Sequence, residues 1–218
     1  MTATAIIPKK EWKSTANTML SIVSVGGVAD YYINNPEKRY AGKLFIKRTL
    51  AQYGVENSDQ LKESLEWRLS KGIRYEFEQI YRGLCLQAET ERIRKIEAET
   101  NPHVKHRLAV ANYYLRRMPS GGVGAYDFAI VAMHSLGGVG VGWLTDAEAG
   151  AYVEKAVRLT REHYSNWHDY CIGFTVGLEF FNSADPSSFS YVEDGMRRLR
   201  RLLNFKDQPV CKGEVFLV

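Results

Sequence analysis

The sequence predicts an all-α fold, a single irregular domain of about seven to eight helices. Apolar residues recur at steps of three and four over most of the chain, which places them on one face of a helix. Only six prolines occur in 218 residues, which favours long regular elements over loops. With 45% hydrophobic and 25% charged residues, the composition is typical of a globular protein.

The first hundred residues predict four helices behind a disordered lead-in at residues 1–9. The helices are expected at about 11–32, 37–53, 58–72 and 73–98. The third should begin with Ser58 as its N-cap and bury a stripe of leucines, which comprises Leu61, Leu65 and Leu69. The second half of the fourth is charged, so we expect only Ile93 and Ile96 to be buried there.

The rest of the chain completes a domain that spans 10–218. Helices are expected at about 102–118 with Asn101 as N-cap and Pro102 at the first helical position, and at 126–136. Further helices are expected behind a capping box from Thr145 to Glu148, behind an N-cap at Ser165 as far as Phe181, and at 191–203. The helix over 126–136 is apolar nearly all round, which predicts that it is buried inside the domain. The tail over 209–218 is expected to be short and extended.

Charge and cysteine usage narrow the class of protein. The formal net charge is +4, and this mild excess does not by itself predict a nucleic-acid partner. Cys85, Cys171 and Cys211 have no metal-binding spacing, which favours reduced thiols in a cytoplasmic protein. No signal peptide and no stretch of about 20 apolar residues is present, so we expect no membrane partner.

The glycines at 137, 138, 140 and 142 allow two interpretations. A nucleotide-binding loop would need a third glycine at Trp143, a preceding strand and a following Lys-Ser or Lys-Thr pair, and the sequence has none of these. We therefore expect a turn that breaks the helix, and we predict no cofactor.

Asp127 is the most notable polar residue in the apolar helix. A buried carboxylate needs a partner, and Arg116, Arg117 and His134 are near enough in sequence to be considered. Asp127 could act as a general acid or base with a raised pKa. The interpretation that we favour is a cap at the amino end of its own helix, where the helix dipole favours an anion.

No metal site is predicted from the histidines. His163 and His168 are five residues apart with a cap between them, and His103 and His106, three apart, have no third ligand beside them. His168 precedes Cys171 by three residues, so a catalytic Cys–His pair is geometrically possible. A buried structural thiol is the favoured interpretation of Cys171.

Aromatic and basic residues predict a binding surface. Tyrosine and tryptophan supply much interface energy when exposed and fill cores when they are not, and we expect one residue of each adjacent pair, such as Tyr113 and Tyr114, to face outward. Arginines on the 191–203 helix could meet an acidic protein or nucleic acid, or form a solvated face. The predicted binding residues are Tyr126, Trp143, Trp167, Tyr170, Arg197, Arg198 and Arg201.

Three segments resemble a known bacterial family. They read AYDFA, GWLTDAEA and HYSNWHDYCIGFTVGLEFF, and with the upstream run NSDQLKESLEWRLSKGIRYEFE they resemble the family called domain of unknown function 1266 over residues 45–181. The resemblance implies a small, mostly helical protein. The signature positions that it implies are Tyr126, Asp127, Gly142, Glu148, Ser165, Trp167 and Gly177.

This chain departs from the family pattern at two positions. A basic residue is expected three positions after Asp127, where this chain has Ile130, so the resemblance does not supply an Asp–Arg pair. Glu179 stands before the final aromatic residues. The family supplies no activity, but its members occur near mobile and interbacterial-competition genes, which suggests a partner-binding role.

The sequence favours a non-enzymatic, cytoplasmic protein-binding module, such as an immunity or accessory protein of an interbacterial-competition or secretion system. No complete catalytic constellation is present beside the aromatic-rich, mixed-charge surface. One alternative is a hydrolase built around Asp127 with Glu148 or His168. Another is nucleic-acid binding through the Arg197–Arg201 helix.

Overall fold

The structure, a computed structural model, describes residues 15–20, 22–23 and 42–182. Those ranges contain a short helical stretch at 15–20, eight helices of ten or more residues and no strand. The all-α prediction is confirmed. In chain order the eight helices are α1 (Lys43–Gln52), α2 (Ser58–Ser70), α3 (Gly72–Cys85), α4 (Glu89–Ala98), α5 (Pro102–Tyr113), α6 (Gly124–Val141), α7 (Asp146–His163) and α8 (Trp167–Phe181).

Some of the predictions concern residues outside the described ranges. They are the lead-in at 1–9, the arginine-rich helix at 191–203 with Arg197, Arg198 and Arg201, the cysteine Cys211, and the extended tail at 209–218.

The chain forms two compact units, each built from two stretches of sequence. The first unit comprises the described residues up to Leu69 together with Phe128–Leu159. The second unit comprises Ser70–Asp127 together with the described residues from Thr160 onward. A single domain spanning 10–218 stays a prediction.

The helix α6 is the most deeply buried element of the described chain. Every residue from 123 to 132 is buried, which confirms the burial predicted for 126–136 from its all-round apolar character. Although α6 is apolar, neither it nor any other helix of the described residues has both the length and the hydropathy of a membrane span.

Aliphatic side chains form the core of the first unit. The leucine stripe of α2, predicted from its four-residue spacing, is confirmed, since Leu61 and Leu65 are fully buried and Leu69 is 5% exposed. Gly138 of α6 lies against this stripe, and a Cβ added there would come within 2.7 Å of Leu61 Cδ2. The glycine therefore allows α6 to approach α2 closely.

The glycines of α6 do not break the helix, contrary to our prediction. The helix continues through Gly137, Gly138 and Gly140 as far as Val141. It ends at Gly142, whose φ of 82° is left-handed, and the Trp143 N–H donates to the Gly138 carbonyl at 2.8 Å. These are the features of a Schellman C-cap, so only the last glycine of the run acts as a helix stop.

The amino end of α2 is capped by a residue other than the predicted one. The Asn57 side-chain oxygen accepts a hydrogen bond from the Gln60 N–H at 2.9 Å. The Ser58 hydroxyl instead donates to the Trp143 carbonyl at 2.8 Å. Ser58 thus connects α2 to the loop after α6, a long-range role that a local capping pattern does not indicate.

Aromatic rings form the core of the second unit. Phe77 of α3 meets Phe180 of α8 edge to face, with ring centroids 5.2 Å apart. Tyr126 of α6 packs against Phe181, with ring centroids 5.4 Å apart. A Cβ on Gly177 would lie 2.5 Å from the Tyr126 Cβ, so this glycine allows α8 to pack directly on the first turn of α6.

Our prediction of one long helix over 73–98 is wrong. The chain leaves helical geometry after Cys85 and begins α4 at Glu89, and the Glu91 carboxylate accepts the Ala88 N–H at 3.1 Å. This side-chain bond replaces a missing intrahelical acceptor and stabilises a new helix start. Within α4, Ile96 is buried as predicted, but Ile93 is 42% exposed.

Two other helix ends differ from prediction by a few residues. Asn101 caps α5 as expected, but α5 ends at Tyr113, before a turn in which Arg116 has a φ of 65°. The N-cap of α8 is Asn166, whose side chain accepts the Asp169 N–H, and Ser165 lies one residue outside.

Candidate functional site

The candidate site is built around Asp127, a carboxylate that is fully buried in the first turn of α6. Its Oδ1 accepts the N–H of Ile73 at 3.2 Å, and its Oδ2 accepts the N–H of Arg74 at 3.1 Å. These N–H groups belong to the first turn of α3, where backbone donors have no intrahelical acceptor. Asp127 therefore caps α3. We had predicted instead that it would cap its own helix.

The cationic partner of Asp127 is Arg74. Its Nη1 lies 3.4 Å from Asp127 Oδ2, and the arginine side chain is 19% exposed. Our prediction considered Arg116, Arg117 and His134 because they are close in sequence, whereas Arg74 lies 53 residues away. A buried anion with a cation and two backbone donors has the partners that burial requires.

Gly72 is what allows the carboxylate to approach α3. Its φ is +61°, and a Cβ at this position would lie 2.1 Å from Asp127 Oδ2. Any other residue would both strain the backbone and displace the carboxylate. The sequence predicted a helix boundary after residue 72, and α2 ends at Ser70 and α3 begins at Gly72.

The loop before α6 is held by the hydroxyl of Tyr164. This buried oxygen accepts the Ala125 N–H at 2.8 Å and lies 3.0 Å and 2.9 Å from the carbonyl oxygens of Gly121 and Gly122, to which its proton can be donated. Burial raises the pKa of the Tyr164 hydroxyl, so it remains a donor. The Tyr164 hydroxyl therefore holds the loop by accepting one of its N–H groups and donating to its carbonyl oxygens.

Next to this loop and the amino end of α3 lies a cleft of about 690 Å³. Its wall carries three cationic residues, two tyrosines and an apolar set that includes proline and methionine. The residues that line it are Ser70, Lys71, Arg74, Tyr75, Phe77, Glu78, Tyr81, Arg82, Met118, Pro119, Ser120, Gly121, Gly122, Val123 and His163.

The electrostatics of the cleft are positive on balance. Arg74 faces the buried Asp127, and Arg82 pairs with Glu78. Lys71 is exposed and makes no ion pair with the described residues. The uncompensated charge of the cleft thus lies at the amino end of α3, where the dipole adds to it.

The tyrosines of the cleft differ in exposure. Tyr75 is 55% exposed, while the Tyr81 hydroxyl accepts the Arg116 N–H at 3.0 Å. Neither was predicted as a binding residue, nor were Lys71 and Arg74. A sequence pattern could nevertheless have indicated them, because all four basic and tyrosine residues lie within the run KGIRYEFEQIY that follows the leucine stripe.

Glu148, the second candidate carboxylate, is part of a helix start. Its Oε2 accepts the N–H and the hydroxyl of Thr145 at 2.9 and 2.8 Å, and the Glu148 N–H donates back to the Thr145 hydroxyl at 3.2 Å, which confirms the predicted capping box. The ammonium group of Lys62 donates to Oε1 at 2.8 Å. The hydrogen bond from Lys62, followed by those from Thr145, lowers the pKa of Glu148 to about 2.

His168, the third candidate, lies at the surface of the second unit. Its side chain is 59% exposed and its Nδ1 lies 3.6 Å from the Asp169 carboxylate. Within the described residues it shares no contact with Asp127, which is buried beneath α3. The structure thus gives each of the three proposed catalytic residues its own set of partners.

Three of the four described aromatic residues that we predicted as binding residues lie in the interior. Tyr126 and Tyr170 are 0% exposed and Trp167 is 7% exposed, so a partner protein cannot reach them in this conformation. Trp143 is half-buried, with the Lys47 ammonium 5.8 Å from its ring centroid. Sequence alone did not distinguish rings that fill a core from rings that face solvent.

His106, Glu179 and Tyr114, which we considered from the sequence, are buried or nearly buried in the structure. His106 is 9% exposed, and its Nε2 lies 2.8 Å from the Glu179 carbonyl oxygen. The Glu179 side chain is buried beside Tyr114, and burial together with this carboxylate raises the pKa of the Tyr114 hydroxyl. Tyr113 of the same pair is 40% exposed, as predicted.

The described residues contain no cluster of metal ligands, and their two cysteines are free thiols. Among those residues, no three His, Cys, Asp or Glu side chains form a cluster that could hold a metal ion. Cys171 is buried and Cys85 is exposed, whereas the His168 side chain is 59% exposed and its Nδ1 faces the Asp169 carboxylate.

Comparison with known proteins identifies the family. The model of a family described as "Protein of unknown function (DUF1266)" matches residues 50–212. The uncharacterized protein YbeR of Escherichia coli (strain K12) is 22% identical over 180 residues, which cover 82% of this chain and 72% of that protein. No solved structure matches the chain significantly. Since the family model spans most of the sequence, the chain belongs to the DUF1266 family.

Proposed function

We propose that this protein is a non-enzymatic binding module that receives a segment of another protein in the cleft at the amino end of α3. The observation that carries the proposal is the composition of that cleft. Tyr75 is exposed and lines the cleft together with Lys71, Arg74 and Arg82, and tyrosine and arginine are among the residues enriched at the energetic centres of protein interfaces.

The shape of the cleft also supports a bound segment. Its volume of about 690 Å³ falls within the range of about 300 to 1,000 Å³ in which proteins bury small ligands or a few side chains. Phe77 and Val123, which are apolar and almost fully buried, form its floor, while Lys71 and Arg82 are exposed to solvent. An apolar centre with a polar rim is the usual arrangement of a protein interface.

We prefer binding to the hydrolase alternative because of the surroundings of Asp127. Its side chain is fully buried, and its two oxygens accept two backbone N–H groups and face Arg74, so the carboxylate has the contacts of a structural cap and counter-ion. Nucleic-acid binding through the Arg197–Arg201 helix stays a prediction. A cytoplasmic location and a role in interbacterial competition or secretion rest on the cysteine usage and on the family resemblance.

Site-specific photocrosslinking tests the proposal. A photoreactive phenylalanine analogue placed at Tyr75 in the full chain should form one defined crosslinked product in cells that express the protein at its natural level. The same analogue at Tyr113, which is 40% exposed and does not line the cleft, is the matched control. A product at Tyr75 that is absent at Tyr113 supports the proposal, and identical patterns at both positions would contradict it.

A further inference from the structure

We infer that the cleft selects an acidic peptide segment that carries an aromatic or large apolar side chain next to its acidic residues. This inference rests on the proposed function and names the chemistry of the partner segment. It follows from three properties of the cleft, which are its charge, its apolar floor and its rigidity.

The charge of the cleft favours an anion. Lys71, Arg74 and Arg82 line it, against the single lining carboxylate of Glu78. Glu78 is already engaged by Arg82, and Arg74 faces the buried Asp127. An acidic side chain entering beside Lys71 would therefore meet a cation that has no ion-pair partner among the described residues.

The apolar part of the cleft accommodates a ring or a long aliphatic side chain. Phe77 and Val123 form its buried floor, Met118 and Pro119 also line it, and Tyr75 is an exposed lining residue. An aromatic side chain inserted there would be desolvated and could stack on tyrosine, a contact that stabilises the complex beyond the burial of apolar area. A peptide with charge alone would leave this surface unfilled.

The cleft is also held in shape before any ligand arrives. Asp127 ties the first turn of α3, and the Tyr164 hydroxyl ties the loop at Gly121 and Gly122. Gly173 lies against the same loop, where a Cβ would come within 2.5 Å of the Gly122 carbonyl oxygen. Because these groups are already ordered, binding loses little conformational entropy.

An acidic peptide fits these observations better than a nucleic acid does. Nucleic-acid affinity comes mainly from several lysine or arginine contacts with phosphates. Of the three cations that line the cleft, Arg74 and Arg82 already face carboxylates. One unpaired lysine beside an apolar floor suits a short segment with mixed acidic and aromatic character.

Synthetic peptides test the inference on the full chain. The probe is an amidated and acetylated pentapeptide with phenylalanine between two pairs of glutamates. Two comparison peptides replace the glutamates by lysines or the phenylalanine by alanine, and an oligothymidylate serves as a nucleic-acid probe. Binding is followed by NMR from the backbone amide signals of Gly121 and Gly122, which line the cleft, with Gly150, which does not line it, as the reference.

The glutamate–phenylalanine peptide should shift the Gly121 and Gly122 signals and bind at least about tenfold more tightly than either comparison peptide, a difference of about 1.4 kcal/mol. Lys71→Glu should weaken this binding by about tenfold or more. Arg94→Glu is the matched charge reversal, on an exposed residue of α4 that does not line the cleft, and it should leave the affinity unchanged.

Three results would overturn the inference. The first is equal binding of the three peptides, the second is equal weakening by Lys71→Glu and Arg94→Glu, and the third concerns the nucleic-acid probe. If oligothymidylate binds more tightly than the acidic peptide and Lys71→Glu abolishes that binding, the partner of the cleft is a nucleic acid and not an acidic peptide. If Tyr75 still crosslinks a partner while the peptides fail to discriminate, the acidic-segment inference fails and the binding function stands.

Discussion

Asp127 and His134 lie two turns apart on α6, and both are buried, but their surroundings are opposite. Asp127, in the second unit, accepts two backbone N–H groups and faces a guanidinium group. His134, in the first unit, is 1% exposed, and neither of its ring nitrogens has a hydrogen-bond partner within the described residues. Its described neighbours include the ring of Tyr53, with centroids 4.6 Å apart.

The difference shows how each residue tolerates burial. A carboxylate buried without partners would lose several kcal/mol of solvation, so Asp127 is stable only where α3 supplies donors. A histidine can instead release its proton and remain neutral. Burial, with a smaller contribution from the charge of Arg68, lowers the pKa of His134 to about 3. The same helix thus buries one residue that must keep its partners and one that must stay uncharged.

Removing the carboxylate is expected to have the largest effect. Asp127→Ala leaves the N–H groups of Ile73 and Arg74 without their acceptor and removes the counter-charge of Arg74. We expect the free energy of unfolding to fall by about 3 to 5 kcal/mol, measured by urea denaturation. Ser135→Ala is the matched control on α6, because its buried hydroxyl has no partner among the described residues, and a comparable loss there would contradict this assignment.

Filling the space beside the carboxylate is expected to have the next largest effect. In Gly72→Ala the new Cβ would clash with the Asp127 carboxylate, and the left-handed backbone would be strained as well. We expect a loss of about 2 to 4 kcal/mol in the free energy of unfolding. Gly54→Ala shares the left-handed φ, at +72°, but has no atom within 4 Å of the new Cβ, so its loss should be about 1 to 2 kcal/mol. Equal losses would show that the contact with Asp127 is unimportant.

The neutral state of His134 makes a pH-dependent prediction. Its pKa is about 3 in the folded protein against an ordinary value of 6.5, so the unfolded chain binds more protons between these values. Its contribution to stability is therefore complete above pH 6.5 and is lost as the pH falls toward 3, by at most about 1.4 kcal/mol per pH unit. His134→Leu should flatten the pH dependence of the free energy of unfolding between pH 6.5 and 4. An unchanged slope would mean that His134 is protonated in the folded state.

The loop contact at Tyr164 is expected to have the smallest effect of the four. Tyr164→Phe removes the acceptor of the Ala125 N–H and the donor to the Gly121 and Gly122 carbonyls, and it should cost about 1 to 3 kcal/mol of unfolding free energy. Tyr170→Phe removes a hydroxyl whose bond to the Ala125 carbonyl is 3.4 Å long, so its cost should be below about 1 kcal/mol. The reverse order would contradict the role given to Tyr164.

Local patterns predicted much of the fold. The leucine stripe of α2, the capping box from Thr145 to Glu148, and the Asn101 cap followed by proline were all readable because each depends on residues within one or two turns. The burial of α6 followed from its composition. These features need no information about which helices are neighbours.

The candidate site depended on long-range contacts and was therefore predicted only in part. Asp127 was identified as notable, but its partners Ile73 and Arg74 lie more than fifty residues earlier. No local rule connects a left-handed glycine before one helix with a carboxylate in the first turn of another. The family pattern has a basic residue three positions after Asp127, where this chain has Ile130, and the cation that faces Asp127 is Arg74 of α3.

Several family-signature positions have structural roles that the sequence did not reveal. Gly142 provides the left-handed end of α6 and Gly177 allows α8 to approach Tyr126. Trp167 is buried with its ring edge to face against Tyr170. Such positions hold α6 and its neighbours in place, which is consistent with a binding cleft formed by other residues.

Hydrogen exchange at two amides tests most directly whether Asp127 caps α3. In the wild-type protein the N–H groups of Ile73 and Arg74 should exchange slowly, although first-turn amides of a helix are ordinarily unprotected. In Asp127→Ala, compared under conditions where the variant remains folded, both should exchange at least about tenfold faster relative to the Leu84 amide in the body of α3. Fast exchange of Ile73 and Arg74 in the wild-type protein, or rates unchanged by the substitution, would contradict the cap.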